Sequence, residues 1–276
     1  MRETPGYVMQ VTLLVDNEAS DGLRSEHGLS FLVETDDGSV LFDTGQSDAW
    51  LHNLIALGRE RDAIKAIAIS HGHYDHTGGL VKAIQELPDA VCFAHPVCFE
   101  PKYAQSTGEM RYIGMPAEVV SRKTAFTLNR SAVEVLPGVV LSGEIPLRTG
   151  LGVLDSKFLA GEDELRQDTF EDEQCMIIRN GDFTAVLVGC AHRGLENNIL
   201  AAMEVAGVAR IDLLAGGFHL GNVSGDELDT LADFLRNVDI GQIACCHCTG
   251  AGAYEYLGSK LGPRVALARS GISWRI

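Results

Sequence analysis

The stretch "SHGHYDHTGGL", residues 70–80, sets His71, His73, Asp75 and His76 within six positions, immediately after the apolar run "IKAIAI". Burying four ionisable side chains without partners would cost several kcal/mol, so they must share a cation, share protons or face water. A helix cannot be the platform. At 3.6 residues per turn, His71 and His73 would point about 200° apart, too far to grip one ion. In an extended turn after a strand, alternate residues share a face. His71 and His73 then converge, and Asp75 pairs with His76 where the next helix begins. Gly72, Gly78 and Gly79 are read as residues that let the backbone bend tightly around these groups. A bound cation resolves the burial cost, and metal binding is the reading adopted.

Two pairs do not complete two coordination spheres. The second half of the chain offers three further histidines behind apolar strands, in "VGCAHRG", "GGFHL" and "CCHCTG". His192 and His247 are the strongest ligand candidates, and Cys190 can reach a metal as a thiolate. His219 is expected to contact substrate. Asp43, in "LFDTG", ends an apolar strand and is expected to accept a ligand histidine's ring N–H or orient a water. Cys245, Cys246 and Cys248 bracket His247 like a metal knuckle, but no second cysteine pair follows, so a structural zinc site is not expected.

Composition narrows the partners. The 276 residues carry 22 basic and 38 acidic side chains, a net charge of −16, which argues against nucleic acid and anionic membranes. No apolar run approaches a membrane span, and the N-terminal residues lack signal-peptide anatomy. Seven cysteines, an odd number, are expected to be reduced thiols in a cytoplasmic protein. The oligomeric state is not legible.

Strand and helix signals alternate along both halves, with hairpin turns at Asp37-Gly38 and Asn180-Gly181. No linker or repeat divides them, so residues 1–276 are expected to form one α/β domain with helices outside two packed sheets. Residues 97–130 lose the rhythm and read as a lid or insertion. The acidic run "GEDELRQDTFEDEQ" reads as a solvated loop, and Lys102 as an ordinary surface charge.

"HGHYDHTGG" and "FDTG" resemble the motifs of the metallo-β-lactamase superfamily. Together with "EHGLSFLVET", "GCAHRGLENNI", "GGFHL" and "CHCTG", they resemble its subgroup labelled dihydropterin–ribofuranosylaminobenzene phosphate synthase-like, over nearly the whole chain. The resemblance implies a four-layer αβ/βα sandwich with a dinuclear site at one sheet edge. It implies that His71, His73 and His192 hold one metal, and that Asp75, His76 and His247 hold the other. Cys190 stands where many members carry a bridging aspartate. "GEIPLRT" departs from the subgroup's Gly-Glu-Ile-Pro-Arg pattern, because Leu147 displaces the arginine to Arg148.

The function expected is metal-dependent hydrolysis of an ester, above all a phosphate ester or phosphodiester of a small anionic molecule. Two divalent ions, zinc first and manganese or iron as alternatives, would activate water, with Asp75 orienting it. Arg111, Lys102 or Arg193 would attract the anion, and the loop carrying His27 would add specificity. Two rival readings follow from the resemblance: a pterin-type transferase, and a mononuclear iron dioxygenase acting on a persulfide.

Overall fold

The computed structural model describes residues 9–148 and 155–276. Two seven-stranded sheets pack face to face. The first runs, in spatial order, through Ser273–Arg275, Gln10–Val15, Ser30–Thr35, Gly38–Phe42, Ile64–Ala68, Val91–Ala94 and Phe126–Leu128. The second runs through Val265–Leu267, Asp239–Cys246, Arg210–Gly217, Phe183–Val188, Met176–Asn180, Val139–Gly143 and Ser131–Leu136.

Side-chain alternation along the strands builds three apolar layers. In Ser30–Thr35, Phe31 and Val33 enter the core between the sheets, where they share a cluster with Leu141, Met176 and Leu187 of the second sheet. Leu32 points the other way, into a cluster with Trp50, Leu54 and Leu80 from the helices Ala49–Ala56 and Leu80–Glu86. The second sheet is covered likewise by Leu195–Ala206, Gly225–Asn237 and Ala251–Leu261, which supply Ile199, Leu231 and Leu257. Strands buried on both faces read as continuous apolar runs, as "AVLV" at 185–188 and "LLA" at 213–215 do. The architecture is the four-layer αβ/βα sandwich. No helix among the described residues is long and apolar enough to cross a membrane.

The segment expected to form a lid is divided. Its hairpin, Lys102–Ser106 with Glu109–Tyr112, joins Phe158–Ala160 and Arg166–Gln167 in a separate four-stranded sheet. Its last strand, Phe126–Leu128, instead pairs in parallel with Val91–Ala94 and belongs to the first large sheet.

Both large sheets contain a parallel half. In the first, Gly38–Phe42, Ile64–Ala68, Val91–Ala94 and Phe126–Leu128 run together. In the second, Phe183–Val188, Arg210–Gly217, Asp239–Cys246 and Val265–Leu267 do so. Parallel strands leave their carboxyl ends along one edge, the usual place for a site in α/β proteins.

Candidate metal centre

The loops leaving that edge carry the chemistry. Asp43 follows Gly38–Phe42, and His71 and His73 follow Ile64–Ala68. Cys190 and His192 follow Phe183–Val188, His219 follows Arg210–Gly217, and His247 and Cys248 follow Asp239–Cys246. Asp75 and His76 lie on the one-turn helix Tyr74–Thr77, with His73 in extended conformation at its N-cap. Asp43, Phe170, Ala191, His219 and His247 all adopt positive φ, between 49° and 59°. Such backbone costs about 1–3 kcal/mol per residue, and here it gathers where the loops turn towards one another.

The glycines of the histidine loop act differently from the expectation. Gly78 and Gly79 have ordinary φ values of −63° and −74°, so no special bend is required of them. They provide room: a Cβ on Gly79 would stand 2.3 Å from the Thr44 carbonyl oxygen, and one on Gly72 would stand 2.4 Å from that of Cys98.

The structure brings the expected donors together from both sheets. His71, His73 and His192 place their donor atoms within 4.8 Å of one another, as do His71, His76 and Cys190. Cys190 also groups with His192 and His219, and with His247 and Cys248, which makes it the common member of three sets. The Asp75 carboxylate lies 3.4 Å from His247 Nε2, 4.0 Å from His76 Nε2 and 3.2 Å from His27 Nε2.

The donor set fits a metal. Nε2 of His71, His73 and His192 is buried without a hydrogen-bond partner, an arrangement that is costly unless a cation takes up the lone pair, whereas Nε2 of His247 faces the Asp75 carboxylate. Burial pushes His73 down to about 3 and holds His71 and His192 well below the ordinary imidazole range. These rings are therefore neutral at pH 7, the form that binds a cation. Their orientation is fixed from behind. Ser70 donates its backbone N–H and its hydroxyl to the Asp43 carboxylate, at 2.7 and 2.6 Å. Asp43 Oδ2 lies 2.7 Å from His76 Nδ1, and the Ser70 hydroxyl 2.9 Å from His71 Nδ1. Burial opposes a charge on His76, but Asp43 and Asp75 outweigh it and lift that ring to about 9. Burial also opposes ionisation of Asp75, yet His76, His247 and His27 hold its carboxyl well below the usual range.

The acidic run is not a solvated loop throughout. Glu162, Asp163 and Glu164 are exposed, but Asp168, Asp172, Glu173 and Gln174 are buried, and the last three clamp the histidine loops. The Gly72 N–H donates to Asp172 at 2.7 Å, fixing the turn between His71 and His73. Backbone N–H groups of His192 and Arg193 donate to Glu173 at 2.5 and 2.8 Å. Burial pushes the Glu173 carboxyl up to about 7 against those bonds. The Gln174 N–H donates to the Ser70 carbonyl at 2.9 Å, and Phe170 stacks on His192 at 4.1 Å. Lys102 is no surface charge either. It is fully buried, with Nζ 2.7 Å from Asp168 and 3.0 Å from Asp172. The sequence concealed this because Lys102 is separated from its two partners by more than sixty residues.

A cleft of about 550 Å³ opens over the donors, lined among others by His27, Tyr74, Arg111, Lys157, His219 and Cys248. Of the basic residues expected to meet an anion, Arg111 faces this cleft, its guanidinium over the Tyr74 ring at 5.5 Å. Arg193 is engaged elsewhere, donating to Glu144 at 2.9 Å and to the Ile145 carbonyl at 2.7 Å. Arg148 pairs with Glu204 on the outer helix. Lys157 and Cys248 reach the cleft without having been singled out as site residues. Cys248 had a signal, its place beside His247; Lys157 had none.

The Metallo-beta-lactamase superfamily profile matches residues 24–156. The crystal structure of Tm1679, a metal-dependent hydrolase of the beta-lactamase superfamily, superposes with a TM-score of 0.83 at 32% identity, covering 97% of this chain and 99% of that one. The chain belongs to the metallo-β-lactamase superfamily. At the level of that family it is an enzyme, a metal-dependent hydrolase. Two proteins of Methanocaldococcus jannaschii are also similar. One is the uncharacterized protein MJ0448, 29% identical over 90% of this chain and 93% of its own length. The other is named 7,8-dihydropterin-6-methyl-4-(beta-D-ribofuranosyl)-aminobenzene-5'-phosphate synthase, 27% identical over 82% of each.

Proposed function

We propose that this enzyme hydrolyses an ester of a small anionic molecule, a phosphate ester or phosphodiester above all, with two divalent cations, zinc first, held by the clustered donors. One observation carries the reading: the Nε2 atoms of His71, His73 and His192 are buried without hydrogen-bond partners, and these three residues, brought from the two sheets, place donor atoms within 4.8 Å of one another. In this assignment His71, His73 and His192 hold one cation, and Asp75, His76, His247 and Cys190 the other. The cations would supply Lewis-acid activation of water and neutralise charge on the ester oxygens.

The chain's own groups do the rest. Asp75 stays ionised and holds a proton of His27 at its Oδ2, so the carboxylate is fixed at the cleft floor where it can orient an attacking water. Asp43 keeps His76 turned into the centre. Arg111 supplies positive charge to an anionic substrate on an otherwise acidic body, whereas the Lys157 ammonium at the same cleft is paired with Asp155 at 2.6 Å. His219, with Nδ1 buried and unpartnered, faces the same space and can donate to or accept from the substrate.

The relative named as a synthase supports a second reading, a pterin-type transferase acting at the same centre. Metal content per chain, measured beside an esterase and phosphodiesterase panel in ¹⁸O-labelled water, separates these. Two equivalents of zinc with label in the product support hydrolysis. Condensation without label supports transfer, and one equivalent of iron with oxygen uptake would replace both readings.

A further inference from the structure

Seven cysteines are described, and five of them (Cys92, Cys98, Cys175, Cys245 and Cys246) sit in the apolar clusters on and between the sheets. The other two, Cys190 and Cys248, leave those layers and meet at the cleft with their sulfurs 3.3 Å apart. Cys190 Sγ lies 3.2 Å from His76 Nε2, and Cys248 Sγ accepts the backbone N–H of His219 at 3.3 Å. Cys190, His247 and Cys248 thus offer three donor atoms within 4.8 Å of one another.

The spacing discriminates between two uses of such a pair. Zinc–sulfur bonds of about 2.3 Å in a tetrahedral field set two sulfurs roughly 3.8 Å apart. The observed 3.3 Å needs an opening of only ~0.5 Å to reach that value. A disulfide, at about 2.05 Å, needs more than twice that movement in the opposite sense, between two loops already held by the strands behind them.

We propose that Cys248 is a metal ligand, joining Cys190 and His247 in a sulfur-containing donor set on one cation. The inference rests on the metal-dependent reading above and extends it to the choice of ion. Each thiol loses its proton to solvent as the cation enters, and the two thiolates favour zinc or ferrous iron over manganese or magnesium.

Cobalt(II) reconstitution of the metal-free full-length protein tests this by absorption rather than by activity. The wild type should show near-ultraviolet sulfur-to-cobalt charge transfer. That band should fall to roughly half in Cys248→Ser and vanish in the Cys190→Ser, Cys248→Ser double variant, with Cys92→Ala unchanged. A full-strength band in Cys248→Ser overturns the assignment. Alkylation of the folded wild type, followed by peptide mass spectrometry, needs no variant. Zinc should slow modification of Cys248 by at least tenfold, and equal rates with and without zinc overturn the proposal. Cobalt uptake with no band dependent on Cys248 removes this ligand and leaves the metal centre standing. No cobalt uptake at all removes both.

Discussion

Two parts of one acidic stretch have opposite fates. Glu162, Asp163 and Glu164 project into solvent, whereas Asp168, Asp172 and Glu173, a few residues later, are buried behind the histidine loops. Their composition is nearly the same. The difference lies in what the rest of the chain brings to them: Lys102 and the Gly72 N–H for Asp172, and the backbone N–H groups of His192 and Arg193 for Glu173. A carboxylate is retained in an interior when donors are waiting for it, and those donors come from distant segments.

The contrast can be pressed experimentally, starting with the groups that the buried half supports. His73→Ala or Asp75→Ala should reduce kcat/KM by about 10³-fold or more, since several kcal/mol of charge stabilisation go with the cation. Circular dichroism should show the fold retained, and full activity in either variant would contradict the ligand assignment. Next comes Asp172→Ala, which leaves the Lys102 ammonium with Asp168 alone and strips the Gly72 N–H of its acceptor. Breaking a buried pair in this way costs about 3–5 kcal/mol, readable as a lower urea midpoint. An unchanged midpoint would mean that the buried half of the run is as dispensable as the exposed half.

Glu173→Gln keeps the shape but removes a charge that accepts two N–H bonds behind His192. Its effect should be smaller and local, a loss of roughly 10–100-fold in zinc affinity by chelator competition. Wild-type affinity in this variant would show that the His192 loop orients itself unaided. The smallest effect is expected from Glu162→Gln, Asp163→Asn and Glu164→Gln together. These exposed changes should each stay within about 0.5 kcal/mol, with zinc content unaltered. A large loss of stability in that variant would erase the distinction between the two halves.

The same contrast explains what could be read from the sequence. The His71–His76 cluster was legible because its members are neighbours in the chain and the preceding strand fixes their faces. Strands such as "TAVLV" and the hairpin at Asn180-Gly181 were legible because pattern and turn chemistry are local. His192, His219 and His247 could be singled out because each follows an apolar strand, and a parallel sheet sends such ends to one edge. Lys102, Asp172 and Glu173 left no comparable trace. Their burial depends on pairs separated by tens of residues, and a charged side chain alone carries no mark of its partner. The lid was only half legible for a related reason: Phe126–Leu128 is short, and only its parallel neighbour shows that it belongs to a large sheet.

The candidate donors divide between the two sheets: His71, His73, Asp75 and His76 come from the N-terminal one, and Cys190, His192, His247 and the proposed Cys248 from the C-terminal one. Neither half can chelate strongly until its counterpart has docked, so tight capture of an ion reports completed assembly. An ion held by both sets would act as a rivet across the seam, and its departure would loosen the very joint that had to form before it could be held.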